Sequence, residues 1–412
     1  MRMNRTLSLL LLTIFSQLLW AQKTIEVTVA NPTKTERAVE PVVLVLDDYM
    51  TTPVRSALVS RNGQEIPCQL DDLNGDGRYD QLCFLTSLAK KEQQKFMVEL
   101  SSDGKPRQYE AKVYADMMLT NKKIKSSNKQ DLYISSLTVD NGTNPYWMLH
   151  HHGPAFENEL VAYRIYFDHR QTVDTYGKYR KGLELKQTQF YPDQEQKAAG
   201  FGDDVLWVGN TFGCGALRGW DGKEPQMLKD VDHRTLRIVS RGPLRTIVEV
   251  IDDGWKPTPD LERIFARTLY ILYAGRRDVQ VQVGFEDILP QHTFSTGLIN
   301  VKNSEEYSDK KGLRGCWGTD WPVSAKDSVG HKRETVGLGI SIPKKYVAEE
   351  LPANKDNYPF VVKPVANRLD YHITFGSDNE TFGYHSAKEW FAYLQAWKRD
   401  LEQPVVIKAT VK

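Results

Sequence analysis

The chain is poor in cysteine, in helix-forming stretches and in net charge. Four cysteines, Cys68, Cys83, Cys214 and Cys316, are scattered over 412 residues with no Cys-x-x-Cys pair. That spacing excludes a structural zinc site built on paired thiolates. Lys and Arg total 54 against 53 Asp and Glu, a net charge of +1. Such a balance gives no basic footprint for nucleic acid or for an anionic membrane surface. No Gly-x-Gly-x-x-Gly leads from a strand into a helix, so a dinucleotide fold is excluded. No internal repeat and no low-complexity tract occurs, and after the first 21 residues no apolar run is long enough to span a bilayer.

Those first residues have the pattern of an export signal. Arg2 and Arg5 precede an apolar stretch, Leu7 to Leu19, and Ala21 stands before Gln22 at a site suited to signal peptidase. Cleavage there predicts a periplasmic or secreted protein with no membrane contact afterwards. An oxidising compartment allows disulfides, and Cys68 and Cys83 flank one apparent hairpin where a bridge is conceivable.

What the chain does have is strand. "TIEVTVA", "EPVVLVL", "DQLCFLTSL" and "KFMVELS" alternate or run apolar between turn residues, which predicts a small β-sandwich or barrel over 22–105. Longer strands follow, among them "LVAYRIYFD", "LELKQTQFY", "RTIVEVIDD", "RIFARTLYILYA" and "DVQVQVGFED", and they predict large sheets over 106–412. The clear helix is "SAKEWFAYLQAWKRDLEQ", opened by a capping box of Ser386 and Glu389.

"VSRGPLRTIVEVIDDGW" with "RIFARTLYILYAGRRDVQVQVGFED" resembles the middle of a galactose-mutarotase-like supersandwich. The likeness rests on Gly242, Pro243 and Arg245 at the end of one strand and on the Tyr273-Ala274-Gly275 turn. Taken whole, the chain resembles an uncharacterised family, a domain of unknown function, of secreted proteins from polysaccharide-degrading bacteria. The resemblance implies a mainly β fold, a small N-terminal β domain ahead of the supersandwich, and an oligosaccharide or polysaccharide as partner.

The most chemically loaded stretch is "NPYWMLHHHGPAFENELVAYRIYFDHRQTVDTYGK". On extended backbone, Arg164, Tyr166 and Asp168 share one face, and Asp174, Tyr176 and Lys178 share another. His151 and His152 supply acid–base groups that titrate near neutrality. His151, His152, Arg164, Asp168, Tyr176 and Lys178 are therefore the candidate catalytic set. In a uronate lyase an Arg neutralises the carboxylate and a Tyr or His removes the acidified proton beside it. Glu157, Tyr166, Asp203, Trp207, His292 and Trp317 are the candidate substrate contacts, the tryptophans because indole faces stack on sugars. Asp203 and Asp204 are alternative catalytic carboxylates.

The favoured reading is a lyase or hydrolase acting on uronate-containing oligosaccharides. An aldose 1-epimerase-like enzyme and a non-catalytic glycan-binding protein are the alternatives. No cofactor is required. The one ion the pattern suggests is a structural calcium in "DDLNGDGRYDQL", where Asp72, Asn74, Asp76 and Asp80 fall at alternating ligand positions. The bidentate Glu that closes an EF-hand is missing, and Asn-Gly and Asp-Gly also suit a plain hairpin turn.

Overall fold

The computed structural model describes residues 21–124 and 129–412. The expected cleavage segment, apart from Ala21, and the centre of the basic stretch at 122–130 lie outside the described residues. The fold is mainly β. Two small sheets form the N-terminal sandwich, with strand Gln93–Ser101 central in one and Gln81–Leu88 central in the other. Their alternating inward residues, such as Ile25, Val27, Val29, Val42, Phe84 and Phe96, make one core.

The second unit is the supersandwich. A nine-stranded sheet runs from Ser136–Asp140 at one edge to Glu305–Ser308 at the other. Facing it are two five-stranded sheets, one carrying Ala162–Ile165 and one carrying Phe294–Ile299. Bridges Val173↔Gly213 and Cys214↔Leu298 tie those two sheets together. One apolar core, including Phe156, Tyr163, Val250, Tyr270, Phe294 and Ile373, fills the space between the layers.

The outer face of the nine-stranded sheet is covered twice. Ile247, Leu269, Ile271 and Tyr273 pack against Cys83 of the N-terminal sandwich. Elsewhere helix Ala387–Glu402 lies on the sheet through Trp390, Leu394 and Trp397. Glycines make its seat: a Cβ on Gly337 would stand 2.6 Å from the Trp390 ring, and one on Gly339 would strike Leu394.

Three expectations need correction. The last strand, Val406–Val411, does not stay with the second domain; it pairs with Gln22–Ala30 and becomes an edge of the N-terminal sheet. "LELKQTQFY" is not a strand but a helical turn, Leu185–Thr188, with Gln189 in the left-handed region behind it. Cys68 and Cys83 are free thiols on opposite faces. Gln69, not Cys68, stands opposite Cys83, so Cys68 points into the sandwich core and Cys83 into the domain interface.

Candidate functional site

The site grows from the five-stranded sheet Val113–Asp116, Ala155–Asn158, Ala162–Ile165, Val173–Gly177 and Asp203–Asp204. Alternation sends Phe156, Tyr163, Ile165 and Val173 into the core. It leaves Asp116, Glu157, Arg164, Asp174, Tyr176 and Asp204 on the other face. A crossing segment between Gly177 and Asp203 covers that face, with Leu185 and Phe190 packed on Ala155, Ala162 and Tyr176.

Arg164 is the hub of the covered face, and it is buried. Its Nε and Nη2 donate to Asp174 Oδ2 at 2.9 and 2.6 Å. Nη2 also reaches Asp204 Oδ2 at 2.8 Å, and Nη1 donates to the Tyr191 hydroxyl at 2.8 Å. Tyr166 accepts from Nη2 and donates to Asp174. The Phe190 ring lies 4.1 Å under the guanidinium. Arg164 thus has no arm free for a sugar carboxylate, contrary to the sequence expectation; it positions the acids around it. Asp168 does not pair with Arg164 either. It is buried, and it holds Arg170 through Nε at 2.8 Å and Nη2 at 2.6 Å.

The three histidines form a helical turn rather than a strand, with His151 at φ 41° and His152 at φ 69°. Gln189 at φ 48° and Phe190 at φ 71° repeat that unusual backbone beside Arg164. Consecutive left-handed residues without glycine are costly, and they concentrate where geometry serves a function. His152 is half-buried. Its ring stacks on Tyr146 at 3.7 Å, and its Nδ1 donates to the Tyr146 carbonyl at 3.0 Å. A carbonyl can only accept, so the proton sits on Nδ1 and the Nε2 lone pair is free. Nε2 has no hydrogen-bond partner among the described residues. Burial lowers the His152 pKa to about 4, which keeps the ring neutral at physiological pH. Trp147, 75% exposed, stands edge-on to this imidazole at 5.1 Å. Tyr166 closes the far side at 6.1 Å and leads to Arg164. The Arg170 guanidinium lies 4.5 Å from the Tyr146 ring centre and 4.9 Å from that of Tyr166.

Asp204 is the partly open member of the carboxylate pair, 18% exposed against none for Asp174. Desolvation first, and then the Asp174 charge, push its pKa well above the ordinary carboxylate value. Deeper in, His151 Nε2 lies 3.4 Å from Asp116 Oδ1, and Tyr114 donates to Asp116 Oδ2 at 2.9 Å. Among the described residues, His150 Nε2 and both His151 ring nitrogens are buried without a hydrogen-bond partner.

Several expected contacts are structural. Lys178 is buried and donates to Glu157 Oε2, the Asn158 carbonyl and the Gly182 carbonyl. Glu157 in turn accepts from the backbone of Glu184 and Leu185, so the pair anchors the crossing segment. Tyr176 is buried, with its hydroxyl on Glu184 and the Gly202 carbonyl. His292 is buried and accepts the Leu289 N–H on Nδ1. Trp317 packs under Trp390, inside the helix seat. Asp203 pairs with Lys197 at the surface, while Trp207 is 46% exposed three residues after Asp204.

In the Asp72 loop the side-chain oxygens are turned onto the loop's own backbone. Asp72 accepts from Gly75 and Gly77, Asn74 from Asp76, Asp76 from Arg78, and Asp80 from Leu73. Among the described residues no group of three His, Cys, Asp or Glu is placed to hold a metal.

Tyr146, Trp147, Arg170 and Tyr191 escaped the candidate set, and Asp203 was preferred to Asp204. The signal for the first three is their place in the aromatic-rich stretch from Asn144 to Lys178. Tyr191 had none, because its segment reads as a strand.

A family model described as "Domain of unknown function (DUF4861)" matches residues 29–407. An alpha-mannosidase from Enterococcus faecalis V583 is similar at 11% identity and a TM-score of 0.45, over 94% of this chain and 46% of that one. A protein in the glycosyl hydrolase family 38 from Enterococcus faecalis is similar at 10% and 0.44, over 94% and 47%. The chain spans about half the length of either. Among curated proteins nothing matches it.

Proposed function

The chain belongs to the family described as a domain of unknown function (DUF4861), and on that footing we propose that it is an exported enzyme that cleaves uronate-containing oligosaccharides by elimination. One observation carries the reading: a neutral His152 with a free Nε2, boxed between Tyr146, Trp147 and Tyr166. Trp147 offers its exposed face to a sugar ring. Nε2 takes the proton from the carbon beside the uronate carboxylate. The electrons form the new carbon–carbon double bond as the glycosidic C–O bond breaks. Asp204 gives its proton to the leaving oxygen, and solvent restores both groups. Arg170 is the group for the substrate carboxylate, because it is 15% exposed and its Nη1 has no hydrogen bond among the described residues.

A hydrolase with paired carboxylates fits less well. Such a pair must flank the scissile bond with room for sugar or water between. Here Asp174 and Asp204 are both held on one Arg164 nitrogen, and Asp174 is fully buried.

The test is a panel of uronate oligosaccharides followed at the ultraviolet band of unsaturated products. Wild type is expected to generate the band, and His152→Ala to lower turnover about 10²- to 10⁴-fold with unchanged folding. Full activity in that variant would falsify the assignment. Product without the band would move the reaction to hydrolysis.

A further inference from the structure

Two cavities that share Lys229 make up a groove beside the His152 box, and it has no part in the chemistry above. Its near half is a cavity of about 230 Å³ walled by the turn Asp140–Pro145, Asp168, His169, Lys229 and Arg234. Its far half, of about 480 Å³, is lined by Glu224–Met227, Lys229, Asp230 and Lys256–Pro259. Lys229 stands in both. The near cavity shares its wall with the box: Asn144 and Pro145 precede Tyr146, and Asp168 holds the Arg170 that lies on Tyr146.

The charges along this groove are uneven in a telling way. Asp168 is neutralised by Arg170 and Asp230 by Arg263. Arg234 is spent on Asp252 and the Leu228 carbonyl. Lys229 and Lys256 form no ion pair among the described residues, and neither ammonium carries a hydrogen bond there. The His169 imidazole is likewise unpartnered. Glu224 and Asp140, the acids on the lining without a strong partner, are exposed, as Lys229 is. Two lysines of the lining, exposed Lys229 and half-buried Lys256, are thus left without an ion pair among the described residues.

We infer that this groove holds further units of an acidic oligosaccharide, with Lys229 and Lys256 meeting its carboxylates beyond the unit that reacts at His152. This rests on the elimination reading and extends it: the substrate is a run of acidic sugars several units long, not a dimer. Two exposed charge contacts change affinity by about tenfold together.

The experiment compares galacturonate and mannuronate oligomers of two and of six units, and a neutral hexamer, by titration calorimetry and by turnover. Wild type is expected to bind one acidic hexamer about tenfold more tightly than its dimer, with an affinity that falls as salt rises. Lys229→Gln combined with Lys256→Gln should erase that advantage and leave turnover of the dimer unchanged. Both lysines are free of ion pairs, so the variant should fold as wild type does. If the dimer is turned over but the hexamer gains nothing, or the variant keeps the gain, the groove assignment is wrong and the His152 chemistry stands. If no acidic oligomer is bound or cleaved, the uronate reading fails and takes the groove with it. Equal binding of the neutral hexamer also overturns the role of the lysines.

Discussion

At the residue scale, His150 and His152 tie the site to pH. Burial pulls the first to about 3 and the second to about 4. In an unfolded chain both titrate near ~6.5. As pH falls below that value the unfolded state takes up protons that the folded state refuses, so stability drops with acid until the folded values are reached. Above the unfolded value the contribution is fully present. Chemical denaturation at pH 7 and pH 5 should show wild type weaker at the lower pH. His150→Phe removes one refusing group and should flatten that slope; an equally steep slope in the variant would contradict the buried neutral imidazole. Arg164 shows the same environment from the opposite side. Its charge is compensated by Asp174, Asp204 accepts a further hydrogen bond from it, and its flat face rests on Phe190. Removing it would leave buried acids without a partner, which is far costlier than losing a surface pair. Exposure, which periodicity alone does not reveal, separates it from Arg170.

At the scale of elements, the strands were legible and their coverings were not. Alternation places Tyr163 and Arg164 on opposite faces whatever packs there, and the structure agrees. Nothing in the pattern says which face is then buried by the crossing segment. That covering turns Tyr176, Lys178 and Glu157 from candidate site groups into internal anchors. The histidine turn is not legible in the sequence for a related reason. Three like residues carry no period, and in the structure His152 stacks on Tyr146 while Gly153 follows the turn. Gly153 lies so close to the Ile165 carbonyl that any Cβ would collide with it. The Asp72–Asp80 loop had two readings, and the structure satisfies its oxygens with its own N–H groups. Its tip is held besides by Arg237 and Arg267, which both donate to the Leu73 carbonyl. A loop clamped in this way should not depend on an ion. Chelation is expected to move the melting temperature by less than about 2 °C, read by calorimetry with and without chelator. A much larger drop would restore structural calcium to this loop.

For the whole molecule, the question is whether two domains behave as one. The Gly-Pro-x-Arg segment that suggested the fold turns out to join them. Arg245 is buried and pairs with Asp71 of the N-terminal sandwich at 2.7 Å. It also reaches Gln81 and the Tyr273 hydroxyl. Gln69 accepts from the backbone of Leu244 and Arg245 and donates to Ser240 and the Arg245 carbonyl. Around these polar contacts, Cys83 packs on Ile247 and Ile271. The chain then returns: after helix Ala387–Glu402, the strand Val406–Val411 closes on Gln22–Ala30. Arg37 of the sandwich holds that return through Asp400 and the Gln403 carbonyl. A buried charge that loses its partner costs roughly 3–5 kcal/mol, so neither domain can let go cheaply. The 22–105 region and the supersandwich should therefore melt in a single transition, with equal calorimetric and van't Hoff enthalpies. Asp71→Ala strands Arg245 at the interface and should split or broaden that transition while leaving the proposed elimination activity nearly intact below the first melting step. Two separate transitions in wild type would mean that the interface is only a contact between independent folds.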